Sequence, residues 1–212
     1  MIRKRVRIRD NDNFWKSYPE TIGDYGFPIV NPFIEVVTFD KVIPLPAVKR
    51  VDNFNNLLCF YCDDFQFERF WLKPDRYIEF IRGFKAIINF DFSTYSDMPK
   101  AFQIWNVYKN AWLGNYYQNQ GINIIPNVTW SIGTLCDYHY KHMPKESVIA
   151  ISHIGISNPE REIFQQELTL VIQELRPIQI LLYGKEIAID NNLITHIKPF
   201  SPKNNLKEVL YV

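Results

Sequence analysis

At 212 residues and 47% apolar content, the chain can bury one substantial core but is short for two full domains. No run approaches the roughly 18 apolar residues of a membrane-crossing helix, and three cysteines, an odd number, argue against a disulfide framework. The formal net charge of +1 conceals an asymmetry: five basic residues precede position 10, leaving 19 basic against 23 acidic residues, a net −4, in the remainder.

In chain order, the first segment is a basic arm carrying Arg3, Lys4, Arg5, Arg7 and Arg9. No apolar run follows it, so it does not read as a signal peptide, and a soluble, cytoplasmic protein is expected. Such an arm can bind phosphate backbones, which makes Arg3, Arg5, Arg7 and Arg9 candidate nucleic-acid contacts. The plainer reading is a solvated terminus or one folded onto the protein's own carboxylates. Residues 1–50, with Pro19, Pro28, Pro32, Pro44 and Pro46, read as a strand-and-loop wrap with short apolar runs at 27–30 and 34–39.

Residues 51–212 alternate between strand and helix patterns and are expected to form the main α/β domain, one globular unit with the wrap. A strand at 57–62 ends at Asp63 and Asp64, where Asp63 and Gln66 suggest a cap for a helix that Pro74 interrupts. A helical piece at 75–84 and a strand at 86–90, ending at Asp91, follow. The clearest helix spans 98–119. Its apolar stripe of Ala101, Ile104, Trp105, Tyr108, Ala111, Trp112 and Tyr116 is expected to face the core, and Gln103, Asn106 and Asn110 to be solvated. Asp97 is placed to cap this helix, with Pro99 in its first turn. Next come a strand at 122–125, a weak helical segment at 130–142 and a strand at 147–152. A helix capped by Asn158 carries Phe164, Leu168, Val171, Ile172 and Leu175, and strands at 178–183 and 194–198 complete the pattern. Strands separated by helical crossovers pair in parallel. The expected fold is therefore a mostly parallel sheet of about 5–7 strands flanked by helices, either open and doubly wound or a small irregular barrel.

In both architectures ligands bind beyond the carboxyl ends of the strands. That rule gathers Asp91, Ser93 and His153 as candidate catalytic residues, and Asp64, Asn127, Trp130, Ser152, Tyr183 and Gly184 as candidate ligand contacts. Carboxylates and a histidine on one face suit acid–base chemistry or a divalent cation. The competing reading is that polar residues at strand ends serve as caps, as Asp63 and Asp97 do on the spacing alone. With eight glycines and no glycine-rich phosphate loop, paired-histidine zinc motif or nucleophile elbow, the common catalytic signatures are absent. Cys59, Cys62, Cys136 and His139 have pair spacings that zinc sites use, but residues three apart in a strand face opposite sides. No metal is assigned, and the cofactor is left unknown. Aromatic residues make up 16% of the chain. Surplus aromatics can stack on bases, yet the abundance of Asn, Ile, Lys, Tyr and Phe also follows from AT-rich codon usage.

A set of local patterns, Tyr-Gly-Phe-Pro at 25–28, Asp-Asp-Phe-Gln-Phe-Glu-Arg at 63–69, Asp-Phe-Ser-Thr-Tyr-Ser-Asp-Met-Pro at 91–99, Gln-Ile-Trp-Asn at 103–106, Gly-Ile-Asn-Ile-Ile-Pro-Asn-Val-Thr-Trp at 121–130 and Tyr-Gly at 183–184, resembles a bacterial and phage family, domain of unknown function 4417. The resemblance runs from about 25 to 184 and implies a phage or mobile-element setting. It transfers no activity. Three functions follow as expectations: an enzyme with a nucleotide or nucleic-acid ligand at the strand ends, a non-catalytic binder of a host or phage protein, and an oligomer that sequesters a nucleotide.

Overall fold

The computed structural model of the chain describes residues 19–48, 55–187 and 191–200. The basic arm, with Arg3, Arg5, Arg7 and Arg9, lies outside them. The described chain begins with an antiparallel pair, β1 (Thr21–Ile22) and β2 (Phe27–Pro28). Four parallel strands follow, in spatial order β3 (Val42–Pro44), β4 (Leu57–Cys59), β5 (Ala86–Ile88) and β6 (Ile124–Ile125). A second parallel sheet contains β7 (Val148–Ser152), β8 (Gln179–Tyr183) and β9 (Ile194–Ile197). The connections carry α1 (Asp64–Leu72), α2 (Ile78–Arg82), α3 (Lys100–Gln118), α4 (Asp137–Tyr140) and α5 (Arg161–Leu175).

The expected parallel α/β architecture is thus present as sheets of four and three strands rather than one sheet of five to seven. Between them lies a single parallel bridge, Asn127 to Ala150. No ladder among the described residues joins β3 to β9, so no closed barrel forms. A cleft of about 360 Å³, lined by residues 39–42 and 195–200, lies along these two strands.

Alternation along β4 shows how one run serves two cores. Leu57, Cys59 and Tyr61 join Ala86, Ile88, Ile125, Ala150, Leu181 and Ile197 in an apolar layer shared by both sheets. Leu58 and Phe60 point to the opposite face, where Phe67, Phe70, Trp71, Ile81, Ala111, Trp112 and Tyr117 of the helices cover them. The three-stranded sheet does likewise. Ile149, Ile151, Ile180 and Leu182 pack against Phe164, Leu168, Val171 and Leu175 of α5. Both faces of every central strand are apolar, the pattern of buried parallel sheets.

The apolar run at 34–39 is not a strand. Ile34 is 72% exposed while Val37 is 5% exposed, and the segment crosses the amino ends of the strands. Its backbone is paired by other means. Phe33 N–H donates to Ser147 Oγ (2.9 Å), and Val37 N–H donates to Gln179 Oε1 (2.9 Å). Lys85 Nζ donates to Thr38 O at 2.6 Å. Side chains at the strand starts take the place of a neighbouring strand.

Two other expectations shift. In the 130–142 segment only Asp137–Tyr140 is helical. The cap before α5 is Ser157, whose N–H and Oγ both donate to Glu160 Oε2 (2.9 and 2.6 Å); Asn158 and Pro159 form the 3-10 turn after it. Among the described residues, no helix is long and apolar enough to cross a membrane.

Candidate functional site at the carboxyl ends of the strands

With the amino ends covered by residues 33–39, the carboxyl ends carry an open cleft of about 570 Å³. Its walls come from the segments after β4, β5, β6 and β7, and Asp91, Ser93, Trp130, Ser152 and His153 all line it. Five of the nine candidates are therefore brought together. Asp64, Asn127, Tyr183 and Gly184 are not on its wall.

Asp91, three residues beyond β5, is the centre of the polar network. Its Oδ1 accepts from Thr129 Oγ1 (2.5 Å) and from Asn127 Nδ2 (2.9 Å). Tyr61 O–H donates to Asn127 Oδ1 at 2.9 Å, which fixes the amide so that Nδ2 faces the carboxylate. The tyrosine, buried on the shared face of β4, thus orients a group two contacts away. Asp91 keeps partial solvent contact through the cleft while protein surrounds its carboxyl, and Oδ2 has no hydrogen-bond partner among the described residues. Burial pushes its pKa up to about 6; the Thr129 and Asn127 hydrogen bonds pull it down, and the charge of Asp64 adds to the rise. A carboxyl that changes charge near neutrality is suited to proton transfer.

Asp64 and Asn127 act behind this wall. Asp64 accepts the Ser93 N–H (3.2 Å to each oxygen) and the Ser93 O–H (2.8 Å), so it anchors the loop after Asp91. Tyr183 packs its ring 4.9 Å from that of Tyr61, and its hydroxyl accepts the Phe200 N–H at 3.1 Å. Gly184 has a steric role: a Cβ there would lie 2.5 Å from the His153 ring. His153 is 5% exposed and its Nε2 has no hydrogen-bond partner among the described residues. Burial lowers its pKa, with smaller contributions from His196 and Arg161.

The expectation of a solvated polar face on α3 is wrong. Gln103, Asn106 and Asn110 are buried. Asn110 Oδ1 accepts the Phe92 N–H (2.9 Å), Asn106 Nδ2 donates to Ser93 O (2.5 Å), and Gln103 accepts from Tyr138 O–H (2.9 Å). Asn89 Nδ2 also donates to Asn110 O at 3.0 Å. Asn106 and Asn110 clamp the 92–93 backbone, supplying the hydrogen bonds it lacks after leaving the sheet. Their signal was legible. Positions 103, 106 and 110 form a helical stripe of amides without one charge, whereas a solvated face ordinarily carries Lys and Glu.

Glu167 is a second residue that sequence reasoning missed. From within α5 it accepts Trp130 Nε1–H (2.8 Å) and Leu135 N–H (3.1 Å), and Trp130 stacks on Phe164 with centroids 5.7 Å apart. The indole is thereby fixed on the cleft wall. Beyond it the lining is rich in hydroxyls: Ser93, Thr94, Tyr95, Ser96, Thr129, Ser131 and Ser152. Among the described residues, the charged side chains on the wall are Asp63, Asp91 and Glu160, with no lysine or arginine.

The zinc spacing does not assemble. Cys59 lies in the shared apolar layer, Cys62 packs on the opposite face and Cys136 is exposed. His139 Nδ1 accepts the Cys136 N–H (3.0 Å), and burial pushes its pKa down to about 4. Among the described residues, no three His, Cys, Asp or Glu side chains cluster so as to hold a metal ion.

Fold and cleft together define a parallel α/β protein with a hydroxyl-rich, acidic cleft beyond the carboxyl ends of its strands. Comparison with known proteins makes the assignment particular. The chain belongs to the family described as domain of unknown function (DUF4417), whose model matches residues 20–201. It is 37% identical over 145 residues to "Gene 1 protein" of Mycobacterium phage L5, covering 68% of this chain and 63% of that protein. It is 32% identical over 145 residues to "Gene 1 protein" of Mycobacterium phage D29, covering 68% and 54%. The matched region spans less than two thirds of either relative. No solved structure matches the chain. These relatives make it a phage-type protein.

Proposed function

We propose that this phage-type protein binds a nucleotide in the carboxyl-end cleft and acts on it through Asp91 as the proton-transferring group. The observation that carries this reading is the placement of Asp91 on the cleft wall, with one oxygen held by Thr129 and Asn127 and burial pushing its pKa up to about 6. Trp130, held by Glu167, offers a flat apolar surface beside a wall of hydroxyls, which suits a base and its sugar. The acidic wall, which carries no lysine or arginine among the described residues, argues that the nucleoside end, not the phosphates, lies against Asp91.

Calorimetric titration with the four ribonucleosides tests this. A ligand donating hydrogen bonds to Oδ2 requires the carboxylate, which is about one-tenth populated at pH 5 and nine-tenths at pH 7. Binding of at least one nucleoside is expected to strengthen about tenfold from pH 5 to pH 7, and Asp91→Asn is expected to remove that dependence. Binding that is absent for all four, or insensitive to pH in the unsubstituted protein, overturns the proposal.

A further inference from the structure

Behind the His153 loop lies a smaller recess of about 210 Å³, lined by His153, Ile154, Gly155, Ile156, Arg161, Gly184, Lys185, Ile187 and Pro199. Residues 153–156 also line the large cleft, so the two compartments share a wall. Their electrostatics are opposite. The cleft wall carries carboxylates, whereas the charged side chains of the recess, among the described residues, are Arg161 and Lys185. Neither cation forms an ion pair among the described residues, although Arg82, Lys141, Lys145 and Arg176 all do. The nearby carboxylate Glu160 belongs to the cleft wall and is held by Ser157. Between the compartments stands His153, nine-tenths buried, with an Nε2 that no group among the described residues satisfies. A buried polar atom without a partner is uncommon and calls for an explanation. Gly184 leaves just enough room for its ring.

We infer that this recess is an anion subsite in which Arg161 and Lys185 bind a phosphoryl group, with His153 at the junction, so that the ligand is a phosphorylated molecule spanning both compartments. At about 210 Å³ the recess is below the usual range for a whole small-molecule site, which begins at about 300 Å³, and fits a single ligand group. The planar guanidinium suits two phosphate oxygens at once, and the flexible ammonium supplies a second positive charge for a doubly charged group. The division of charge also sets the direction of the ligand: the uncharged end faces Asp91 and the anionic end faces Arg161. This assignment rests on the nucleotide reading above for the identity of the uncharged end, but the recess itself is testable alone.

The experiment compares inorganic phosphate, acetate, the four ribonucleosides and their 5′-monophosphates on the full chain, on Arg161→Gln/Lys185→Gln and on Asp91→Asn. Phosphorus NMR reads the phosphates and calorimetry the nucleosides. Inorganic phosphate is expected to bind the unsubstituted protein and Asp91→Asn, with acetate weaker, and binding is expected to be lost in the double variant. A monophosphate is expected to bind at least tenfold more tightly than its nucleoside, an advantage that the double variant abolishes while nucleoside affinity stays unchanged. Phosphate binding without any nucleoside binding would support the recess and overturn the cleft reading. Nucleoside binding without a phosphate advantage, or a phosphate advantage that survives in the double variant, would overturn the subsite and leave the cleft reading standing. Failure of phosphate and all monophosphates to bind overturns the subsite as well.

Discussion

Asp91 is held between opposed influences. Burial disfavours its charge, while Thr129 and Asn127 donate hydrogen bonds that favour it, and burial prevails. Its pKa is about 6 in the folded chain against 3.8 for the free group, so the native state binds the proton more tightly than the unfolded state. The stabilisation from that proton is complete below about pH 3.8 and is lost as pH rises through 6, leaving the ionised group as a cost at pH 7. Replacing it with Asn keeps an oxygen for Thr129 and Asn127 while removing the charge. Asp91→Asn is therefore expected to raise stability at pH 7 by about 1 to 3 kcal/mol, with the gain vanishing near pH 4. Urea titrations at the two pH values measure it; equal destabilisation at both would mean that the carboxylate is a structural support.

At the scale of elements, α3 has two roles on adjoining faces. Ala111, Trp112 and Tyr117 pack on the four-stranded sheet, while Asn106 and Asn110 hold the segment after β5 and Gln103 accepts from Tyr138 of α4. Ala101, at the start of the apolar stripe, is exposed, because the buried face is shifted toward the amides. Gly114 sits where Asn89 approaches, and a Cβ there would meet the Asn89 amide at 2.8 Å. Asn110→Ala would leave the Phe92 N–H buried without an acceptor, and the expected loss is about 1 to 3 kcal/mol. The same variant should weaken binding at the cleft, since the loop it releases carries Asp91 and Ser93. Chemical denaturation and nucleoside titration give the two readouts. A stability loss with unchanged affinity would mean that the clamp does not position the site.

Over the whole molecule, the segment 33–39 closes one end of the shared apolar layer and the cleft opens at the other. Gln179, at the start of β8, joins the distant parts by accepting the Val37 N–H and donating to Val37 O. Gln179→Ala removes both bonds from a buried backbone, and a loss of about 1 to 3 kcal/mol is expected. Amide exchange should show this as faster exchange at Val37 while the α5 amides stay protected. Uniform acceleration would mean that the segment and the sheets unfold as one cooperative unit.

Strand and helix order from residue 57 onward was legible because buried parallel strands are unbroken apolar runs, bounded here by Asp, Asn, Pro or Gly. The gathering of strand-end residues was legible as well, since parallel strands all end on one face, and Asp91, Trp130, Ser152 and His153 do meet at the cleft there. The run at 34–39 was not: apolar character does not reveal that its backbone would pair with Ser147 and Gln179, more than a hundred residues away. Nor could spacing distinguish residues on the cleft wall from those behind it, such as Asn127 and Asp64, because that depends on loop paths beyond the strands. The sequence by itself determined the parallel α/β class, through local periodicity and strand-end residues, and membership of the DUF4417 family. The tertiary structure alone decided the division into two sheets, the burial of the α3 amides and the raised pKa of Asp91, because each depends on contacts and desolvation set by residues far apart in the chain.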